Sequence, residues 1–147
     1  MNIFFSTDSL LKESGGQSQA LFELSDELKK EKISHTIFTS KNKGINQINY
    51  GLFNRTINQD LVHNFGVWSI FHIYNYYLSK KNKKPLIISP LGMMEPWSLN
   101  QKKIKKKIAY YFYQKKIFDN CTVIHATSKM EANNLMQLGL SRPIEFI

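Results

Sequence analysis

An α/β fold, one domain with a mostly parallel sheet flanked by helices, is what this sequence of 147 residues predicts. Three observations lead there. Short runs rich in Ile, Val, Phe and Thr alternate with stretches whose apolar residues recur at helical spacing, as βα repeats do. The run at Pro85–Ser89 breaks at a Ser-Pro/Gly turn, crosses an acidic and aromatic patch and enters a lysine-crowded helix, an order suited to the carboxyl end of a central strand, where open sheets place ligands. The chain is long enough for one continuous core and too short for two ordinary domains.

The expected strands are residues 2–6, 35–39, 60–65, 86–89, 122–126 and, at the end, 144–147. Between the first two, residues 17–30 set Ala20, Leu21, Leu24 and Leu28 on one helical face. Residues 41–58 are polar, rich in Asn and Gly and poorly periodic, which predicts a long loop or an extra hairpin. An aromatic-rich helix is expected over 67–80, with Asn82 and its neighbouring lysines as the exit turn. A helix from about 100 to 118 repeats Ile104, Ile108, Tyr111 or Phe112 and Phe118, a stripe expected to face the core with the lysines opposite. The last helix begins near Ser128, carries Met130, Leu135, Met136 and Leu138, and ends at Gly139 as a C-terminal cap would.

With 42% hydrophobic and 21% charged residues, the composition is that of a folded globular protein. No apolar run approaches the roughly 18 residues needed to cross a bilayer. Asp8, Lys12 and Glu13 interrupt the first stretch before a signal-peptide core forms, so a cytoplasmic location is expected. The single Cys121 suits a reducing compartment and reads as a small buried hydrophobe beside a strand. No cofactor and no metal are expected. The formal charge of +9 draws the chain toward anionic partners, and seven of the 20 Lys and Arg residues (Lys102, Lys103, Lys105, Lys106, Lys107, Lys115 and Lys116) crowd the expected helix from about 100 to 118.

Four segments carry candidate chemistry. Gly15-Gly16 precede the first helix, where backbone N–H groups and the helix dipole suit a phosphate; turns use such pairs too, and neither GxGxxG nor GxxxxGKS/T is present. The segment DLVHNFGVW, residues 60–68, puts His63 near a strand end, either as a base or donor to a ligand or simply satisfying a backbone group. Gly92 permits a tight turn beside Glu95 and Trp97, a carboxylate and an indole that suit a sugar's hydroxyls and its apolar face, or that merely open a helix. In IHATSKMEANNL, residues 124–135, Ser128 and Glu131 form a capping box that also lies at a strand's carboxyl end.

Taken in order, Gly15-Gly16, the D-x-V-H…G-x-W pattern from Asp60 to Trp68, SPLGMMEPWSLNQKKIKKK from Ser89 to Lys107 and HATSKME from His125 to Glu131 resemble the N-terminal domain of the family-four retaining glycosyltransferases, two-domain GT-B enzymes. These build bacterial polysaccharides, lipopolysaccharide and lipid-linked glycans. Members often carry H-x-H-G where this chain has His63-Asn64-Phe65-Gly66, and often His or Arg where it has Leu91.

The resemblance implies a Rossmann-like domain forming one half of a GT-B architecture. It implies donor-phosphate contact at Gly15 and Gly16, and acceptor contact at His63, Asn64, Gly92, Glu95, Trp97, Ser128 and Glu131. The family's second domain holds most of the nucleotide-sugar site. Since the sequence stops at Ile147, sugar transfer is expected only with a C-terminal domain, supplied by a separate chain if the enzyme is split. The partners so implied are a nucleotide-sugar and a glycan or lipid-linked acceptor; separately, the lysine helix, with Lys102, Lys103, Lys105, Lys106 and Lys107 beside the aromatic Tyr110, Tyr111, Phe112 and Tyr113, is expected to meet the anionic inner face of the cell membrane. The competing reading is a non-catalytic basic module that holds nucleic acid by its phosphates.

Overall fold

Six parallel strands and their crossover helices organise the chain. They are β1 (Asn2–Thr7), α1 (Gly16–Lys30), β2 (Ser34–Thr39), β3 (Leu61–Phe65), α2 (Ile70–Lys81), β4 (Leu86–Ser89), α3 (Pro96–Asn100), α4 (Lys103–Ala109), a π-helical turn (Tyr110–Gln114), α5 (Lys115–Asn120), β5 (Val123–Ala126), α6 (Lys129–Met136) and β6 (Ile144–Phe146). The computed structural model describes residues 1–9, 16–39 and 58–146. Gly15, the expected loop over 41–57 and the end of the last strand at Ile147 lie outside the described residues.

The strand order is β2-β1-β3-β4-β5-β6. Every pairing is parallel: Ile3 lies opposite His35 on one side and Leu61 on the other, and Ile88 opposite Ile124. The chain steps from β1 to β2 in one direction and from β3 to β6 in the other. Right-handed crossovers then put their helices on opposite faces of the sheet. Ile3, Phe5 and Phe65 accordingly meet Leu21, Leu24 and Leu28 of α1. Phe4, Val62, Ile88 and Ile124 meet Tyr76 of α2, Ile117 and Phe118 of α5 and Leu135 of α6. The inner strands β1, β3 and β4, mostly buried, read as short apolar-rich runs, and the sequence reading finds the described strands to within a residue or two at their ends.

Two helices depart from expectation. The aromatic helix starts at Ile70 rather than 67, because Trp68 adopts a left-handed backbone (φ 74°) and Ser69 an extended one as N-cap. The helix expected from about 100 to 118 starts at Lys103 and runs through the π-helical turn to Asn120: Gln101 is extended and Lys102 left-handed (φ 53°), which separates it from the short α3 ending at Asn100. Its apolar stripe also faces the other way. Ile104, Ile108, Tyr111 and Phe112 are exposed, and the inward face is Tyr110, Tyr113, Gln114, Ile117 and Phe118. This second stripe wins because it leads into the two largest buried side chains of α5, Phe118 and Ile117, while the first has no facing element.

Cys121 is buried after α5, its thiol donating to the Phe118 carbonyl at 3.1 Å. Burial pushes that thiol up to about 12, which leaves it protonated and unsuited to nucleophilic work.

Candidate functional site

Because all six strands are parallel, the loops that follow β1, β3, β4 and β5 emerge along one edge of the sheet, and the order of connections reverses between β1 and β3. Ligand crevices of open α/β sheets form at such a switch point. Gly16 opens α1 on this edge; a side-chain carbon built there meets nothing within 4 Å, and the helix carries no carboxylate in its first turn. The first turn of α1 thus carries no carboxylate of its own, and the positive end of its dipole suits an anion.

The loop after β3 is tightly specified. Gly66 has φ 104°, its N–H donates to the Ser89 carbonyl at 2.8 Å, and an added Cβ would stand 3.3 Å from Met93 Cε and 3.4 Å from His72 Cε1. Two residues on, the left-handed Trp68 is held from both sides. Its N–H donates to Gln114 Oε1 at 3.3 Å, and its carbonyl accepts from the Tyr113 hydroxyl at 3.2 Å. Both clamps come from the π-helical turn, and such turns are frequent where a helix serves a site.

Beneath this loop lies a buried polar cluster. Asn64 accepts from the Asn75 side chain at 2.9 Å and donates to the His72 carbonyl at 3.3 Å. Neither ring nitrogen of His72, nor the Ser6 hydroxyl nor the Trp68 indole N–H, has a hydrogen-bond partner among the described residues. Burial holds the His72 imidazole below its ordinary value, while Asp8 and the Ser6 carbonyl pull the other way.

The loop after β4 turns through two successive left-handed residues, Leu91 (φ 56°) and Gly92 (φ 75°). It is tied to the β5 loop by Glu131. One carboxylate oxygen accepts from the Gly92 N–H at 2.7 Å, and the other accepts from both the N–H and the hydroxyl of Thr127 at 2.9 Å. Ser128 caps α6 as expected, accepting from the Glu131 N–H at 3.0 Å. The reciprocal arm of the capping box goes instead to Thr127 and across to Gly92.

The expected site residues thus divide. Gly16, Gly92 and Ser128 stand at the carboxyl edge of the sheet, and the Glu131 carboxylate is spent joining two loops there. Glu95 and Trp97 differ in their surroundings. Glu95 is 5% exposed and accepts from Asn134 of α6 at 2.5 Å, while Trp97 is 63% exposed. His63 and Asn64 lie inside β3, not at its end, with side chains on opposite faces.

His63 belongs to a relay on the α1 face. Its Nε2 lies 2.7 Å from the Ser89 hydroxyl, whose oxygen lies 2.9 Å from His125 Nδ1. Burial, and then His125, push His63 down to about 3; burial also lowers His125. The Ser89 hydroxyl can donate to one ring and accept from the other, or accept from both through its two lone pairs. His72, Ser89, Tyr113, Gln114 and His125 escaped the sequence reading as site residues, since no spacing marks residues brought together from separate strands and helices.

A cleft of about 460 Å³ runs along the α1 face of the sheet past Leu28, Leu61, Ile87 and Val123. Its exposed wall is mostly apolar, with His63, His125, Thr127 and Glu145 as the polar residues that line it, so a sugar or phosphate would find few partners along most of it, and the polar strand-end edge is the better candidate for such ligands. Among the described residues no group of three or more His, Cys, Asp or Glu is placed to hold a metal, and no helix is long and apolar enough to cross a membrane.

No protein-family model matches this chain, and no curated protein matches it. Solved structures do. The crystal structure of Anabaena Alr3699/HepE in complex with UDP and glucose superposes over 100% of this chain with a TM-score of 0.64 at 14% identity, and that of the same protein in complex with UDP with a TM-score of 0.63 at 14% identity. This chain spans 44% and 43% of the length of those chains. The likeness shows the fold: a single Rossmann-like α/β domain that matches one half of a GT-B architecture.

Proposed function

We propose that residues 1–147 form the acceptor-side half of a retaining glycosyltransferase of family four, which moves a sugar from a nucleotide-sugar to a glycan or lipid-linked acceptor in polysaccharide synthesis. The observation that carries this reading is the match of the whole chain to part of a protein solved with UDP and glucose, supported by the position of Gly16, Trp68, Gly92 and Ser128 at the carboxyl edge of the sheet.

The chemistry is consistent with a half-site. Departure of a nucleoside diphosphate needs positive charge or oriented dipoles at the phosphates and exclusion of water from the reacting carbon. This half offers the N-terminus of α1 at Gly16 and the shaped loops at Trp68 and Gly92. On this reading the remaining phosphate contacts come from a donor-binding half outside residues 1–147, and no step needs a metal.

The test is titration of the 147-residue chain with UDP and UDP-glucose, alone and with a candidate C-terminal domain, alongside a sugar-transfer assay. Turnover is expected only with both halves, and Gly16→Asp, which brings a carboxylate to the α1 N-terminus, is expected to weaken donor binding about tenfold. Turnover by the chain alone would overturn the assignment of the donor site to another domain. Absence of binding and turnover with the genuine partner domain would overturn the transferase reading.

A further inference from the structure

The outward face of α4 and the π-helical turn has no role in the transferase reading. At 100° per residue, Ile104, Ile108, Tyr111 and Phe112 fall within one sector, and they are 76%, 53%, 68% and 81% exposed. No residue of α4 is buried. The opposite sector carries the packing, through Tyr110, Tyr113, Gln114 and the α5 residues Ile117 and Phe118.

Lysines border the apolar stripe. Lys105 lies on one side of it and Lys103 and Lys107 on the other, all exposed, with exposed Lys102 at the helix start. Lys106 is not part of this border: it turns inward, its ammonium donating to the Ser98 carbonyl at 2.5 Å and to the Ser98 hydroxyl at 3.1 Å. The salt bridges Lys29–Asp26, Lys30–Glu27 and Lys115–Asp119 involve none of these five lysines.

We infer that this face docks the protein on an anionic lipid surface, with Ile104, Ile108, Tyr111 and Phe112 entering the boundary between headgroups and acyl chains, and Lys102, Lys103, Lys105 and Lys107 lying among the lipid phosphates. An apolar strip between basic flanks is the pattern of a helix lying in the plane of a membrane. Other occupants fit less well. Nucleic acid would satisfy the lysines but offers Ile104 and Phe112 no hydrocarbon, and a second copy would set this basic edge against itself in a chain of formal charge +9. The inference stands apart from the transferase reading, since it uses none of the strand-end residues.

The test is co-sedimentation of the 147-residue chain with phosphatidylcholine vesicles, with and without phosphatidylglycerol, at low and moderate salt. Binding is expected on the anionic vesicles and to fall as salt rises. The combined variant Ile104→Ser, Ile108→Ser, Phe112→Ser keeps the net charge and is expected to lose about tenfold or more in vesicle affinity. Lys103→Gln, Lys105→Gln, Lys107→Gln is expected to abolish the preference for anionic lipid. All six side chains are exposed, so unchanged far-ultraviolet circular dichroism and thermal midpoint check that neither variant acts by unfolding. No binding by the parent chain, or equal binding to neutral and anionic vesicles, would overturn the inference. So would a serine variant that holds vesicles and duplex DNA as well as the parent does, which would make the helix a plain polyanion-binding surface.

Discussion

The buried carboxylate of Glu131, on the first turn of α6, accepts a hydrogen bond from the Gly92 N–H across 2.7 Å and so locks the loop after β4 to the loop after β5. With Thr127 supplying two more donors, the carboxylate accepts three hydrogen bonds in the folded protein. Glu131→Gln keeps the shape but replaces one acceptor oxygen by an NH₂ group that faces an N–H donor. The expected loss is about 2–3 kcal/mol, the usual cost of leaving buried donors unpaired at a charged acceptor. Urea unfolding at neutral pH measures it, and a loss below about 0.5 kcal/mol would mean that the loops hold together without the clamp.

Two glycines on the same edge are expected to behave oppositely. Gly66→Ala meets both a φ of 104° and a methyl contact at 3.3 Å with Met93, so a loss of roughly 2 kcal/mol or more is expected. Gly16→Ala meets no atom within 4 Å at a helix start and is expected to be neutral or slightly stabilising. Thermal melts of the two variants side by side make the comparison, and equal destabilisation would refute the stated geometry at Gly16.

The His63–Ser89–His125 relay predicts sensitivity to acid. His63 takes up a proton near 6.5 when unfolded but only at about 3 when folded, so its contribution is full above pH 6.5 and falls away as pH drops toward 3. In that window one such histidine lowers stability by about 1.4 kcal/mol per pH unit. His125 and His72 are shifted in the same direction and steepen the decline. Denaturant midpoints between pH 7 and 4 should therefore fall sharply, and His63→Gln, which keeps a hydrogen-bonding group toward Ser89, should flatten the slope by about one proton's worth. An unchanged slope in that variant would show that His63 titrates normally.

Much of the fold was legible because a parallel sheet covered on both faces writes its strands as continuous apolar runs: FFST, LVHNF and LIIS needed no tertiary information. The sequence pattern failed where the buried stripe was not the more apolar one. Gln114 is among the most deeply buried side chains, while the more regular stripe Ile104, Ile108, Tyr111 and Phe112 faces outward, so hydrophobic spacing pointed to the wrong side of the helix. The capping motif at Ser128 and Glu131 was readable, yet its second arm ends on Gly92, 39 residues earlier, a partner that only the sheet brings near. His63 stands two residues before the end of β3, as the expected strand over 60–65 has it; what spacing does not reveal is that its ring is buried against Ser89 and His125.

The clamp on Trp68 supplies the prediction closest to function. A tryptophan at φ 74° carries a backbone cost that persists only where neighbours enforce it, and here the enforcing groups are Gln114 Oε1 on its N–H and the Tyr113 hydroxyl on its carbonyl. Gln114→Leu conserves volume but leaves the Trp68 N–H without its acceptor, for an expected loss of about 1–3 kcal/mol. In a Trp97→Phe background only Trp68 emits, so release of the turn should appear as a shift in tryptophan emission at denaturant concentrations well below global unfolding. Tyr113→Phe removes the other bond and is expected to act in the same direction with a smaller effect, about 1 kcal/mol. Because Trp68 sits on the loop that follows β3 at the switch point, both variants should weaken any ligand bound at that edge by more than they weaken the fold. Parallel losses in binding and in stability would instead make the clamp a structural feature alone.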